Sequence, residues 1–334
     1  MDDARARSNS GPPGISRSLL RGSVWTVLGL VIAGLMRMAI RIVSDLAFGE
    51  EALANVTAAL SVATIAAIFG ASGISAGITK LMSQLDGEGA RDRLAAFTSY
   101  VARWGILLTA ITAAGAGLYG TVDATIGRGG SSLIISVTGV TAALGLYQVG
   151  KAITFGETNP TFYVRLEAVG FALFSVTLFV VALMGRDQAV LLPLIVGFLP
   201  LGLVAIRRAS RSSPGTKGLP KRAFFGYGVV GIMGSVAGIG FTYVTPLVAG
   251  FVAGIGGIAL IGACLAVLEP LYLAPRAIGL VLLPELSRAN AQRRSDTSAL
   301  ALRGATVVAS SLAALAAALL ILERDRILQI LFSD

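Results

Sequence analysis

Long apolar runs, separated by short polar segments, follow one another along almost the whole of this 334-residue chain. Each run is near the length of about 20 residues that an α-helix needs to cross a bilayer. Backbone polar groups in lipid must be satisfied within the segment, so the runs are predicted to be helices. We predict nine spans, at residues 24–46, 53–79, 95–119, 131–150, 163–184, 189–206, 223–249, 257–283 and 304–322.

The composition agrees with a membrane protein. Hydrophobic residues make up 55% of the chain and charged residues 13%, whereas about a quarter of a soluble domain is charged. The predicted fold class is therefore an all-α, polytopic transmembrane helix bundle. Residues 1–18 are polar and rich in Pro and Gly, and we predict a disordered cytoplasmic tail there.

The basic residues are distributed unevenly between the two sides of the predicted bundle. Nineteen of the 27 Lys and Arg residues fall on the side of the N-terminus and four on the other side. By the positive-inside rule the N-terminus is cytoplasmic, and we expect a bacterial inner (plasma) membrane. The net charge of +9 then faces anionic membrane lipids, so nucleic acid is not expected as a partner. The predicted cytoplasmic segments are the tail and residues 80–93, 151–165, 207–222 and 284–303.

A weak internal repeat relates two parts of the chain. Phe48-Gly49, a long apolar helix and the sequence 80–84 have counterparts in 251–254, another apolar helix and 284–288. Six predicted spans separate the copies, so both have the same orientation, as in parallel transporter repeats. We therefore predict an N-terminal six-helix lobe at 19–206, a basic inter-lobe loop at 207–222, and a partial C-terminal lobe of three spans at 223–334.

Several classes of chemistry lack the residues that they require. The chain has no histidine and one cysteine, which excludes a zinc site, a Ser-His-Asp triad and a Cys-His pair. Nothing resembles a P-loop, a GxSxG nucleophile elbow or an EF-hand. We expect a protein that is not an enzyme and that uses no cofactor or metal.

Charged residues within predicted spans are the main candidates for a binding site, because a charge in the bilayer is costly. Arg37, Arg41 and Asp45 are spaced four residues apart in the first span and share one face. Guanidinium groups suit phosphate recognition, so Arg37 and Arg41 are predicted to bind an anionic head group. Asp45 is their predicted charge partner. Alternatively, Arg41 pairs with Asp45 only to lock the helix.

The eighth predicted span carries a second candidate face. Glu269, Tyr272 and Arg276 lie at helical spacing, and we predict that they contribute to substrate binding. Pro270 and Pro275 are expected to kink or break the helix, as in transporters whose broken helices line a site. The alternative is an internal ion pair between Glu269 and Arg276.

Three further features have structural interpretations. Arg103 is expected to extend its guanidinium towards the cytoplasmic interface. Arg165 and Glu167 open the fifth span and are expected to pair with each other. A helix-packing seam is predicted at Gly228, Gly231, Gly234 and Gly238.

Several segments resemble the polysaccharide flippases of the multidrug/oligosaccharidyl-lipid/polysaccharide exporter superfamily. They are residues 45–55 (DLAFGEEALAN), 73–80 (GISAGITK), 151–165 (KAITFGETNPTFYVR), 283–288 (LPELSR) and 326–332 (RILQILF). The resemblance implies two six-helix lobes around a central cavity, with more spans than nine. It therefore leads us to expect an incomplete second lobe in a truncated chain.

The resemblance also implies a function. Flippases of this family hold a (pyro)phosphate-linked sugar head in a cationic cavity, a role that Arg37, Arg41 and Arg276 would suit. The leading hypothesis is a flippase of undecaprenyl-(pyro)phosphate-linked oligosaccharide, working by alternating access for cell-surface polysaccharide. A multidrug or toxin antiporter, a peptidoglycan-precursor flippase, and an inactive or scaffold membrane protein are the alternatives.

Overall fold

The computed structural model describes the backbone of residues 17–125, 131–157, 159–211 and 218–291, with isolated positions between 306 and 322. Side chains are described in these ranges except at 17–23, 119–125, 131–133, 270–279, 281, 282, 285 and 288–291. Every regular element in this described part is helical.

The α-helices follow one another with short connections. They are α1 (Arg17–Phe48), α2 (Glu50–Ala67), α3 (Gly73–Gly87), α4 (Arg91–Thr125), α5 (Ser131–Gly156), α6 (Pro160–Leu183), α7 (Leu192–Ser210), α8 (Lys221–Ser235) and α9 (Phe241–Ala291). Short helical turns join some of them: π-helical turns at Ile68–Ser72 and Val236–Gly240, and a 3-10 turn at Asp187–Ala189.

The first eight predicted spans fall on these helices, and the ninth, 304–322, lies outside the continuously described residues. Six helical stretches in the described part have the length and apolar composition needed to cross a membrane. They are Val24–Phe48, Glu50–Gly87, Arg91–Leu118, Pro160–Leu183, Asp187–Ser210 and Lys221–Glu269. The prediction of an all-α, polytopic transmembrane bundle is confirmed.

Some helices extend beyond the apolar segments that predicted them. Helix α1 already begins at Arg17, inside the predicted tail, while residues 1–16 lie outside the described part. Helix α7 continues to Ser210 and α8 begins at Lys221, so residues 207–210 and 221–222 of the predicted loop are helical. Long basic side chains can lay their aliphatic stems along the helix and keep their charged ends in water. A helix can therefore continue past its apolar segment into basic residues.

Two glycines with positive φ angles mark equivalent reversals of the chain. Gly49 (φ 84°) separates α1 from α2, and Gly254 (φ 68°) interrupts α9. A Cβ placed on Gly257 would lie 2.7 Å from the carbonyl oxygen of Ala249, so α9 folds back on itself at Gly254. Glycine adopts positive φ without steric cost. The reversals therefore occur at corresponding places in the two copies of the predicted repeat.

The hairpin at Gly254 divides α9 into two legs, 241–253 and 255–291. The interruption is thus at Gly254, and not at Pro270 or Pro275, through which the helix continues. We call α1–α7 the N-terminal lobe and α8–α9 the C-terminal segment. The predicted division at 207–222 otherwise remains a prediction.

Helix α5 lies at the centre of the N-terminal lobe and packs most extensively against α4 and α7. One apolar core joins α5 to α1, α2, α6 and α7, and another joins α5 to α3, α4, α7 and α8. The C-terminal segment packs on this lobe through α9 against α1 and α2, and through α8 against α3. Helices α1 and α9 are thereby adjacent, which determines the candidate site.

Glycines allow α3 and α8 to approach each other closely. A Cβ on Gly231 would collide with the carbonyl oxygen of Gly73, and one on Gly228 would press on Ile74. Close backbone approach at small residues is a common way of joining helices in membranes. Gly234 and Gly238 have open space around them instead, so only half of the predicted glycine seam packs against described residues.

Replacing Gly231 with Ala should destabilise the protein by about 1–3 kcal/mol, because the added methyl group overpacks a backbone contact. Gly234→Ala, one turn away in α8, is the matched control and should be neutral or stabilising. Thermal unfolding of the two purified variants in detergent would measure the difference. Equal melting temperatures would contradict the close α3–α8 contact.

Candidate functional site

Helix α1 supplies two guanidinium groups to the interior of the bundle. Arg37 and Arg41 lie one turn apart on the face of α1 that packs towards α9. Arg41 has 0% exposure, whereas Arg37 is only partly buried. Arg41 lies seven residues before the end of α1 at Phe48, about 10 Å along the helix axis. Its charge must therefore be balanced inside the bundle.

Glu269 of α9 provides that balance. Its Oε2 atom lies 2.8 Å from Nη1 of Arg41, and its Oε1 atom accepts a hydrogen bond of 2.8 Å from the Tyr243 hydroxyl. Glu269 is itself buried. The ion pair thus joins the N-terminal lobe to the C-terminal segment, and both legs of the α9 hairpin contribute to it.

The contact between Arg41 and Glu269 uses little of the guanidinium's bonding capacity. The two groups are close, but their relative orientation does not meet hydrogen-bond geometry. Among the described residues, none of the three guanidinium nitrogens of Arg41 has a hydrogen-bond acceptor. A guanidinium has five N–H donors, so Arg41 could receive additional oxygen atoms from a ligand.

Arg37 has a different environment from Arg41. Its Nη1 donates a 3.3 Å hydrogen bond to the Tyr243 hydroxyl, and its guanidinium carbon lies 5.7 Å from the centre of the Phe198 ring. Within the described part of the chain, no carboxylate lies at ion-pair distance from Arg37. Both of these contacts are with neutral groups, so neither compensates the charge of the partly exposed Arg37 guanidinium.

The other predicted site residues are placed differently. Asp45 is partly exposed, one turn beyond Arg41, and forms no ion pair with Arg41 in the described structure. The partner of Arg41 is Glu269, because α9 packs beside α1 and places a carboxylate against it. Tyr272 and Arg276 lie in α9, but their side chains are outside the described residues, as is the alternative pair of Glu269 with Arg276.

A second buried polar cluster, which we did not predict, lies between α5 and α6. The Tyr147 hydroxyl donates a 2.6 Å hydrogen bond to Glu167 Oε1, and Lys151 Nζ lies 5.6 Å from the centre of the Tyr147 ring. Glu167 is 2% exposed.

Helical periodicity could have revealed this cluster. Arg165 and Glu167 are two residues apart and therefore point to opposite sides of α6, Arg165 outward and Glu167 inward. Their predicted mutual pairing is wrong.

Asn159 caps α6 by accepting a 3.2 Å hydrogen bond from the Phe162 backbone amide, with Pro160 in the first turn.

No protein-family model and no curated protein matches this chain. Solved structures nevertheless share its fold. The crystal structure of the eukaryotic MATE transporter AtDTX14 superposes with a TM-score of 0.66 and 14% identity, covering 87% of this chain and 70% of its own. A MATE protein in the bent conformation superposes with a TM-score of 0.62 and 16% identity, covering 94% and 74%.

A further solved chain superposes with a TM-score of 0.68 at 16% identity, over 97% of this chain and 76% of its own. The chain has the fold of MATE transporters. MATE transporters belong to the exporter superfamily that the sequence resembles, so the prediction of an exporter-like fold is confirmed. Identities of 14–16% show the fold and not the substrate.

Tyr147→Phe should destabilise the fold by about 1–3 kcal/mol, because it leaves the Glu167 carboxylate buried without this donor. Tyr227→Phe is the matched control: its hydroxyl accepts an exposed 2.7 Å hydrogen bond from Lys80, and its loss should have little effect. Thermal unfolding in detergent would compare the two variants. A larger loss of stability for Tyr227→Phe would contradict the assigned burial.

Proposed function

We propose that the chain is a membrane exporter that moves lipid-linked oligosaccharide across the bacterial plasma membrane, with its N-terminus in the cytoplasm. The lipid carrier is undecaprenyl (pyro)phosphate, and the product serves cell-surface polysaccharide. The neighbours with the same fold are named as MATE transporters, which supports transport as the activity. The protein is not an enzyme in this proposal; its partners are the glycan lipid and the surrounding membrane lipids.

Arg37 is the observation that favours an anionic substrate. It is a charged, partly exposed group in the middle of α1, and its nearest described partners are a phenol and an aromatic ring. A cationic group in a low-dielectric site attracts an anion far more strongly than it would in water. A phosphate oxygen could therefore bind Arg37 directly.

The surrounding charges point in the same direction. Among the described residues of the two buried clusters, Arg37, Arg41 and Lys151 contribute three positive groups, and Glu167 and Glu269 contribute two carboxylates. An organic cation, the expected cargo of a multidrug antiporter, would meet this positive excess. The anionic head group of a glycan lipid would be attracted by it.

Alternating access supplies the mechanism of movement. The C-terminal segment would move against the N-terminal lobe, and the contacts of Arg41 with Glu269 and of Arg37 with Tyr243 cross the boundary between them. The head group would rest on the α1 guanidiniums while one side of the boundary closes and the other opens. The apolar lipid tail would remain in the surrounding bilayer.

Deletion of the gene should cause a polyprenyl-linked oligosaccharide to accumulate and surface polysaccharide to fall, as measured by mass spectrometry of lipid extracts. The accumulated species would identify the glycan. An unchanged lipid-linked pool would contradict glycan flipping, and drug-efflux assays would then test the antiporter alternative.

Arg37→Ala should abolish the rescue of such a deletion without loss of the protein from the membrane, because the head group loses its accessible cation. Arg103→Ala is the matched control, since Arg103 is an exposed arginine on α4 and should be dispensable. The lipid-linked pool and the membrane level of each variant would be measured together. Full rescue by Arg37→Ala would rule out this site.

A further inference from the structure

We infer that Glu269 is an internal anion that competes with a substrate phosphate for Arg41, and that the substrate must displace it. This inference rests on the proposed function. Through its contact with Arg41, Glu269 holds the C-terminal segment against α1. An arriving phosphate replaces the carboxylate at Arg41 and so releases this contact.

The poor fit between Arg41 and Glu269 is the first argument. Arg41 is fully buried, and one carboxylate oxygen lies 2.8 Å from Nη1 without hydrogen-bond geometry. Nε and Nη2 of Arg41 also lack acceptors among the described residues. Guanidinium and phosphate form parallel paired hydrogen bonds, so a phosphate could satisfy donors that Glu269 leaves unused.

The second argument is that the Tyr243 hydroxyl, which hydrogen-bonds to Glu269, can change its acceptor. Tyr243 donates to Glu269 Oε1 at 2.8 Å and accepts from Arg37 Nη1 at 3.3 Å. A phosphate bound between Arg37 and Arg41 could accept the hydrogen bond of the Tyr243 hydroxyl in place of Glu269. The same hydroxyl would then serve the ligand, and Glu269 would lose both of its partners, Arg41 and Tyr243.

The third argument concerns selectivity. A neutral or cationic ligand cannot replace Glu269, because Arg41 would be left as a buried charge without compensation. An anion can replace it and keep the charge of Arg41 compensated. The internal carboxylate thus couples separation of the two parts of the protein to the arrival of an anionic ligand.

The test uses the full chain in lipid nanodiscs, with undecaprenyl phosphate as the probe and undecaprenol as its uncharged control. The one native cysteine, Cys264, is exposed on α9, and Leu173→Cys adds an exposed cysteine on α6. Spin labels at these two positions report the distance between the C-terminal segment and the N-terminal lobe. Three labelled proteins are compared: one that retains Glu269, the Glu269→Gln variant, and the double variant Arg41→Gln/Glu269→Gln. The double variant removes both charges of the ion pair and is therefore the charge-balanced control.

Undecaprenyl phosphate, but not undecaprenol, should change the distance distribution of the protein that retains Glu269. The Glu269→Gln variant should bind undecaprenyl phosphate at least about tenfold more tightly, since no internal anion competes. Without ligand it should already show the distances of the liganded protein. The double variant should lose the gain in affinity.

Two failures can be distinguished. Equal or weaker binding by Glu269→Gln, with unchanged distances and with selective binding of undecaprenyl phosphate by the unsubstituted protein, overturns the inference and leaves the proposed function standing. Equal binding of undecaprenyl phosphate and undecaprenol by the unsubstituted protein overturns both. If Glu269→Gln is too unstable to purify, melting temperatures are measured in isolated membranes instead. Undecaprenyl phosphate should then raise the melting temperature of Glu269→Gln more than that of the unsubstituted protein. An equal or smaller rise for Glu269→Gln overturns the inference.

Discussion

A guanidinium buried within a membrane helix bundle must find a negative charge, because neither lipid nor bulk water can stabilise it there. Arg41 of α1 has 0% exposure, and the nearest carboxylate on its own helix, Asp45, does not pair with it. The compensation comes from Glu269 on α9. The packing of α9 against α1 is therefore an electrostatic requirement of the fold as well as an apolar contact, and the positions of Tyr243 and Arg37 follow from it.

Two backbone features position Glu269 beside Arg41 of α1. The positive φ of Gly254 turns α9 into a hairpin, which places Tyr243 on one leg and Glu269 on the other. The close approach of Gly73 and Gly231 fixes α8, and hence the start of the hairpin, against the N-terminal lobe. Because lipid supplies no hydrophobic force between helices, such close contacts and the buried ion pair carry much of the association.

The sequence predicted the features that depend on local pattern. Apolar length located the helices, and four-residue spacing placed Arg37 and Arg41 on one face of α1. The partner of Arg41 was missed, because Asp45 is near in sequence whereas Glu269 becomes near only when α9 packs on α1. Such pairing depends on which helices are adjacent, and periodicity within one helix carries no information about that.

The cluster around Glu167 was missed for a different reason. The end of the fourth span and the start of the fifth were placed by hydropathy, so Lys151 was assigned to a loop and Glu167 to the membrane interface. In the structure α5 continues to Gly156, which buries Lys151 and brings Tyr147 against Glu167. Hydropathy averages over all faces of a helix, so it ends a predicted span where polar residues begin even if those residues face the protein interior. Helices that line an interior site carry such polar residues, and their ends are therefore placed too early.

Arg37 and Arg41 are one turn apart, yet the groups that contact their guanidiniums differ in charge. Arg41 faces a carboxylate, whereas Arg37 faces the oxygen of Tyr243 and the ring of Phe198. Tyr243 has a single hydroxyl proton, and it is donated to Glu269, so its oxygen can only accept from Arg37. The orientation of this one hydroxyl therefore depends on Glu269 and gives Arg37 a neutral partner. Any event that removes Glu269 from α1 frees the phenol proton for a new acceptor, so the two arginines and Tyr243 respond as one unit.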